Sequence, residues 1–416
     1  MGENLGSDGG RELVLIVGAG CTGLAIAQGL KKNSIPFILL EREPQNVSRA
    51  RDWNMGLHWG APVLSTLIPP QSFAKLESAQ VDPHRPCPEV DEIKFFHGET
   101  GVQLGGSKIP HLYRVRRRAL RAIMAEGLDI GSEVLYDRTV VDISYSDDGE
   151  AVTAHFEDGT SVTGSCLIGA DGPRSQVRQL LVGEESAKLQ TLPFCASIVQ
   201  AKYTAEQVRF LRSLHPLYVV GLHPEGFMSW VGLHHAPSPS DPENWIMNHY
   251  ISWRCDPADQ EEMKHWTNEQ HLKYVKELAM KFCDPYRSAY EWLPEDQTVW
   301  WAPLTHWDPS ETAHRWNNRG GRVTLAGDAA HPMTFQRGQG LNSAFKDASE
   351  LVNQITTFLG KEKMQTRQAA VDAYEKEMID RTGNEVRLSA QNTRMVHIWE
   401  EALQSPLVSK GFAKTE

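Results

Sequence analysis

The sequence predicts an α/β protein: a Rossmann-like dinucleotide-binding domain interlocked with an antiparallel-sheet domain, with helices at the C-terminus. Three observations carry this prediction. "RELVLIVGAGCTGLAIAQGLKKNSIPFILLERE" reads as strand, glycine turn, helix, strand. From Glu133 onward, and again from Leu189 to Trp307, alternating or apolar strand-like runs are cut by turn and proline signals. Beyond Leu341 the pattern is mostly helical, drawn here as one long helix over 341–405.

In chain order, Leu13–Val17 is a short buried strand and "PFILLE" a second one ending in an acid. Residues 51–78 read as mostly helical, interrupted by Pro62, Pro69 and Pro70. "HLYRVRRRALRAIMAEGL" reads as a helix closing at Gly127. The "DDG" and "EDG" turns define a small antiparallel meander, and the buried strand "CLIGA" follows it. "FMSWVGL" and "WIMNHYISW" are longer strands, and 322–326 is a short apolar one. Nine of the twelve tryptophans fall between Trp230 and Trp316, so this region is expected to build an aromatic-rich surface or a cavity, in the latter case with Trp230, Trp245 and Trp253 on its walls.

At 416 residues, two interlocked domains are expected. The composition, 40% hydrophobic and 23% charged, is that of a globular chain. A net charge of −11 argues against a nucleic-acid partner. The six cysteines form neither CxxC nor a Cys/His cluster, so free thiols and no metal site are expected. "MGENLGSDGG" is polar, lacks the organisation of a signal peptide, and reads as a disordered segment, 1–10. No apolar run approaches the about 20 residues of a bilayer span, and a cytoplasmic location is expected.

Gly18, Gly20 and Gly23 match GxGxxG directly after a strand, with Glu41 ending the next strand. Gly18 allows the turn, Gly20 lets backbone approach a pyrophosphate, and Gly23 permits close helix–strand packing. The helix N-terminus then presents unpaired amides to the phosphates. Glu41 suits a free ribose hydroxyl, as FAD or NAD offers. "LIGADGPRSQVR" again puts Gly169, Asp171 and Gly172 at a strand end, although a surface turn with a helix cap has the same signature. "TLAGDAAHPMTFQRGQGLN" repeats strand, glycine and acid, and Gly338 and Gly340 open a helix whose amides face outward. Three such strand ends can converge on one extended ligand.

"GAGCTG…E", "GADGPRS" and "GDAAHP…GQGLN" occur in the order and approximate spacing of the single-component FAD-dependent aromatic hydroxylases. The chain resembles that family, which includes para-hydroxybenzoate and salicylate hydroxylases, and specifically a fungal-type branch. The resemblance implies non-covalent FAD, reduction by NAD(P)H, and insertion of one oxygen atom from O2 through a flavin hydroperoxide. It further implies an aromatic or polyketide-like small-molecule substrate, a role in secondary metabolism, and homodimers as in many relatives. A composite FAD-binding domain would comprise 11–70, 105–185 and 315–360. The substrate domain would comprise 71–104 and 186–314, with a C-terminal helical segment over 361–416. Gly18, Gly20, Gly23 and Glu41 would hold the adenine-side half of FAD. Arg117 would contact the flavin, the register among Arg114, Arg116, Arg117 and Arg118 being open and a merely solvated arginine the bland alternative. Asp171 would brace the loops and take part in nicotinamide engagement. Asp328 would bind the ribityl or pyrophosphate portion. The region Gly338, Gly340, Leu341 and Asn342 would stabilise negative charge on the reduced ring.

The family's proline four residues after the histidine of "GDAAH" is here Phe335, while Pro332 follows His331 as in the salicylate-type branch. Phe335 and Pro332 are therefore expected on the substrate side, in a pocket for a larger or flatter molecule. His58, beside Trp59, is the preferred general base among His58, His223, His234, His235 and His249, and His331 is expected to bond loop backbone. Halogenases of this type carry WxWxIP, which is absent, as is a second GxGxxG. Epoxidation and Baeyer–Villiger insertion share the scaffold, and a non-catalytic flavin-binding redox sensor is the reading from a different class.

Overall fold

A computed structural model describes residues 12–45 and 51–410; the expected disordered segment 1–10 lies outside them. The apolar runs read as buried strands form a five-stranded parallel sheet. Its order is Val323–Leu325, Cys166–Gly169, Val14–Val17, Phe37–Leu40, Val134–Leu135. These strands are short and almost wholly buried, as a parallel sheet covered on both faces requires. The helices Cys21–Lys32, Gly340–Leu359 and Arg367–Val396 contribute Leu24, Phe345, Leu351 and Tyr374 to the same core. Three strands carrying ligand motifs, those ending at Val17, Gly169 and Leu325, lie side by side, so their C-terminal loops open at one edge.

The second sheet has seven strands, ordered Val299–His306, Gln190–Ala201, Ile246–Arg254, Phe227–His235, Tyr218–His223, Val90–His97, Gln103–Pro110. It is antiparallel except where Tyr218–His223 runs parallel to Val90–His97. A domain boundary at 105 would cut the strand Gln103–Pro110, whose whole length pairs into this sheet. The "DDG" and "EDG" meander forms a separate three-stranded sheet over 140–164.

Three local expectations are corrected by tertiary pairing. Residues 54–57 are a strand, not helix, and pair antiparallel with Tyr113–Arg116, so the arginine-rich helix begins only at Arg117. Long-range pairing overrides local helical propensity here. Pro62 sits in the first turn of the helix Gly60–Leu67, where its missing N–H leaves no bond unmade. The long C-terminal helix is three helices, Gly340–Leu359, Arg367–Val396 and Trp399–Ala402, broken first at Gly360 and again after Val396. No helix among the described residues is long and apolar enough to cross a membrane.

Candidate active site

The first glycine turn divides its labour. Gly18 has φ +105°, and a Cβ there would lie 2.6 Å from the Ala170 carbonyl oxygen. A Cβ on Gly23 would overlap the Gly18 carbonyl oxygen, so helix and strand touch there. At Gly20 the nearest atom to such a Cβ is 4.0 Å away, which leaves its face open to a ligand. Glu41 accepts the Ala19 amide at 2.9 Å and the Glu43 amide at 3.0 Å, bracing the turn that its expected ligand would share. Arg121 donates to the Ala19 carbonyl at 2.9 Å from the other side. Sequence reasoning passed over Arg121, although it lies one helical turn beyond Arg117 and so on the same face.

The second strand end is a brace. Asp171 accepts the Ser175 hydroxyl at 2.5 Å and the amides of Gln176 and Val177 at 2.7 and 3.2 Å. Burial pushes its carboxyl above the ordinary value against these bonds. Arg178, buried beside Trp307, donates to the carbonyls of Pro173, Ala187 and Ala329, and the last of these ties this loop to the third strand end.

At the third strand end Asp328 opens on the cleft, its carboxylate oxygen 3.7 Å from where a Gly340 Cβ would stand. The surrounding walls desolvate it and raise its pKa, while His331 and Arg117 pull the other way. Arg117 is half-buried at the start of its helix, near enough to Asp328 for the two charges to interact. Arg116 instead donates to the carbonyls of Ser78 and Gln80, and Arg118 is exposed. His331 bonds a side chain rather than only loop backbone: Asp347 meets its Nε2 at 2.5 Å, accepts the Gly327 amide at 2.8 Å, and is bound by Arg381 at 2.7 Å. Burial would raise the Asp347 pKa, but His331 and Arg381 outweigh it and hold the carboxyl below its ordinary value.

The helix Gly340–Leu359 has no side-chain cap, and its first intrahelical bond is Ser343 N–H to Gln339. The amides of Gly340, Leu341 and Asn342 thus precede the helical ladder and form a cradle for negative charge. Asn342, fully buried, fixes this cradle. Its Oδ1 accepts the amides of His58 and Gly60, both at 3.0 Å, and its Nδ2 donates to the carbonyls of Gly56 and Gly338 at 2.9 and 3.0 Å. Trp59 adds a bond from its indole N–H to Gln339 at 2.9 Å. His58 belongs to the same junction: burial lowers its pKa to about 4, with the nearby Gly338 backbone pulling the other way. So weak a base suits a brace better than the general-base role expected of it.

Phe335 leaves the loop half exposed and meets Tyr250 edge-on at 5.1 Å. Tyr250 stacks on Trp230, and Trp230 on Tyr218. Trp253 lies on the opposite face of the seven-stranded sheet, packed against Tyr274, because side chains alternate along the strand from Tyr250. Trp245 precedes that strand and bonds Ser238 beneath Arg212. Only Trp230 of the three expected wall tryptophans shares the face of Phe335. Pro332 is buried, and its carbonyl accepts the Trp307 amide, so it packs the loop instead of lining a substrate site. The C-terminal helix pins the loop through Thr334 to Ser389, Gln336 to Thr393, and an Arg337–Glu385 ion pair.

The open Gly20 face, the outward amides, Arg117 and the cleft-facing Asp328 fit a long anionic dinucleotide. The chain matches the family model described as FAD binding domain over residues 106–388. It is 37% identical over 400 residues to the FAD-dependent monooxygenase cctM of Talaromyces islandicus, covering 96% of each chain. It is 35% identical over 404 residues to the FAD-dependent monooxygenase phnB of Penicillium herquei, covering 96% of this chain and 94% of that one. Klebsiella pneumoniae HpxO, solved with FAD and uric acid, shares the fold at TM-score 0.73 and 17% identity over 99% of this chain and 95% of that one. A glycine turn with an open face, a helix start with unpaired amides, and relatives matched over nearly their whole length agree, and the chain belongs to the FAD-dependent monooxygenases.

Proposed function

We propose that this monooxygenase inserts one oxygen atom into a flat, electron-rich aromatic molecule of polyketide type, using NAD(P)H as reductant and O2 as co-substrate. Bound FAD supplies the activation of O2 and the transfer of one oxygen atom. The chain's own contribution is binding, orientation and exclusion of water. Gly18, Gly20, Glu41 and Arg121 would hold the adenine-side half, and Arg117 and Asp328 the middle. The amides of Gly340, Leu341 and Asn342 would take negative charge at the ring. Asp171 braces the cleft and takes part in nicotinamide engagement. The observation that carries the substrate reading is Phe335, which meets the Tyr250–Trp230 row edge-on, at the position where the resemblance to the aromatic hydroxylases implies a proline. An aromatic edge against an aromatic wall favours a flat ring system over a single phenol. We further place the enzyme in the cytoplasm, as a homodimer.

The test is NADPH oxidation in air by the purified holoenzyme with a panel of phenols and polycyclic ketides, followed by product mass. Substrate-stimulated oxidation with gain of one oxygen atom is expected, and product structure separates hydroxylation from epoxidation and ring insertion. Arg117→Ala and Asp328→Ala should each lower flavin retention. Unchanged flavin content in both would overturn the site assignment.

A further inference from the structure

Arg178 and Arg337, which are buried, and Arg381, which is half-buried, are bound by oxygen, whereas the half-buried Arg114 is not. Arg178 has three carbonyls, Arg337 has Glu385, and Arg381 has Asp347 and Glu377. Arg114 has none: among the described residues no carboxylate or carbonyl bonds its guanidinium. It lies instead over two aromatic faces, 5.0 Å from the Trp230 ring centre and 5.6 Å from that of Tyr218. Burial lowers its pKa, so the charge is held at a cost that cation–π contact offsets only in part. The nearest acid on that side, Asp91, is engaged by the Tyr218 hydroxyl and His215, both at 3.2 Å.

Arg114 borders a row of flat rings in the core of the seven-stranded sheet's domain. Tyr218 and Trp230 stack at 4.6 Å and 19°, Trp230 and Tyr250 at 6.0 Å and 8°, and Phe335 closes the row edge-on. Gly232 makes room for the indole, since a Cβ there would sit 2.7 Å from Trp230 Nε1. Arg114 pairs across the two-stranded ladder with Gly56, whose carbonyl Asn342 binds. The cation therefore stands where the aromatic wall meets the junction that holds the flavin-side helix start.

We propose that Arg114 is the specificity-determining anchor of this enzyme, receiving the anionic oxygen of a planar aromatic substrate whose rings lie along the Tyr218–Trp230–Tyr250 wall. The assignment rests on the monooxygenase reading of the adjoining site. A guanidinium takes a phenolate, enolate or carboxylate oxygen through paired N–H donors, so the guest is selected for charge and flatness together. Phenolic guests are held in ionised form, their proton released to solvent on binding.

The test is binding of 2-naphthol, 2-naphthoate and 2-methoxynaphthalene to the FAD-loaded enzyme, followed by the flavin absorbance change and by tryptophan quenching. The wild type is expected to bind the two ionisable probes at least about tenfold more tightly than the ether, and the tighter of the two identifies phenolate or carboxylate as the source. Arg114→Gln should weaken the ionisable probes about ten- to a hundredfold and leave the ether unchanged, while Arg114→Lys retains part of the preference. Equal affinities for all three probes in the wild type would overturn the proposal. So would Arg114→Gln binding like the wild type, or loss of FAD from both variants, which would move Arg114 into the cofactor cradle. Charge-selective binding without oxygen transfer to any aromatic would leave this assignment standing and count against the oxygenation reading instead.

Discussion

Asn342→Ala tests whether one side chain holds the flavin-side helix start in place. Asn342 makes four hydrogen bonds, two as acceptor and two as donor, to backbone groups of His58, Gly60, Gly56 and Gly338. It is fully buried, so water does not replace it without the junction opening. At a net of about 1 kcal/mol per bond, removal costs about 4 kcal/mol, and the orphaned backbone groups make this a lower figure if the junction stays closed. Asn342→Asp keeps the two acceptor roles but sets a carboxylate against the carbonyls of Gly56 and Gly338, and should do no better. The assay is urea unfolding followed by tryptophan fluorescence at fixed FAD concentration, because bound cofactor stabilises by mass action. FAD retention should fall in parallel, since the amides of Gly340 and Leu341 lose their fixed position. An alanine variant within about 1 kcal/mol of wild type, with full flavin content, would refute the reasoning.

The glycine turn and the buried histidines give two further expectations. Gly20→Ala should fold with unchanged stability yet retain less FAD, because its Cβ enters open space reserved for the ligand; Gly23→Ala should fail to fold stably, because its Cβ overlaps the Gly18 carbonyl. Matching thermal stabilities for the two apo variants would contradict this division. Burial lowers the pKa of His58, His234 and His397 to about 4 and that of His249 to about 3, against an ordinary value of 6.5. The folded state excludes protons that the unfolded state binds, so stability is present above pH 6.5 and lost as pH falls toward 4. Each histidine contributes about 2 kcal/mol of that loss between pH 7 and 5. Asp171 and Asp328, whose pKa values are raised, titrate in the opposite sense and blunt the slope. Denaturant midpoints that stay level from pH 7 to 5 would show that these rings are not buried in the neutral form.

The sequence by itself determined the dinucleotide half of this protein. Gly18, Gly20, Gly23, Glu41, Asp171 and Asp328 are legible because each satisfies a local demand: a turn, a close approach, or an acid at a strand end. The order of those signals along the chain also identified the family. Tertiary structure alone decided the substrate side. Whether residues 54–57 and 113–116 are helix or strand depends on their pairing with each other, across more than fifty residues of chain. That pairing sends Arg114 to the aromatic wall and places Arg117 near Asp328. Period-two alternation separates Trp230 from Trp253, but which face meets Phe335 is fixed only when the two sheets pack. His58 looked like a base because its sequence neighbourhood pointed to the flavin. Its burial and its place at the Asn342 junction, both products of long-range packing, lower its pKa to about 4 and favour the bracing role. Local chemistry writes the cofactor's cradle into short motifs, whereas a substrate pocket is assembled from residues distant in sequence, whose facing directions exist only in the folded chain.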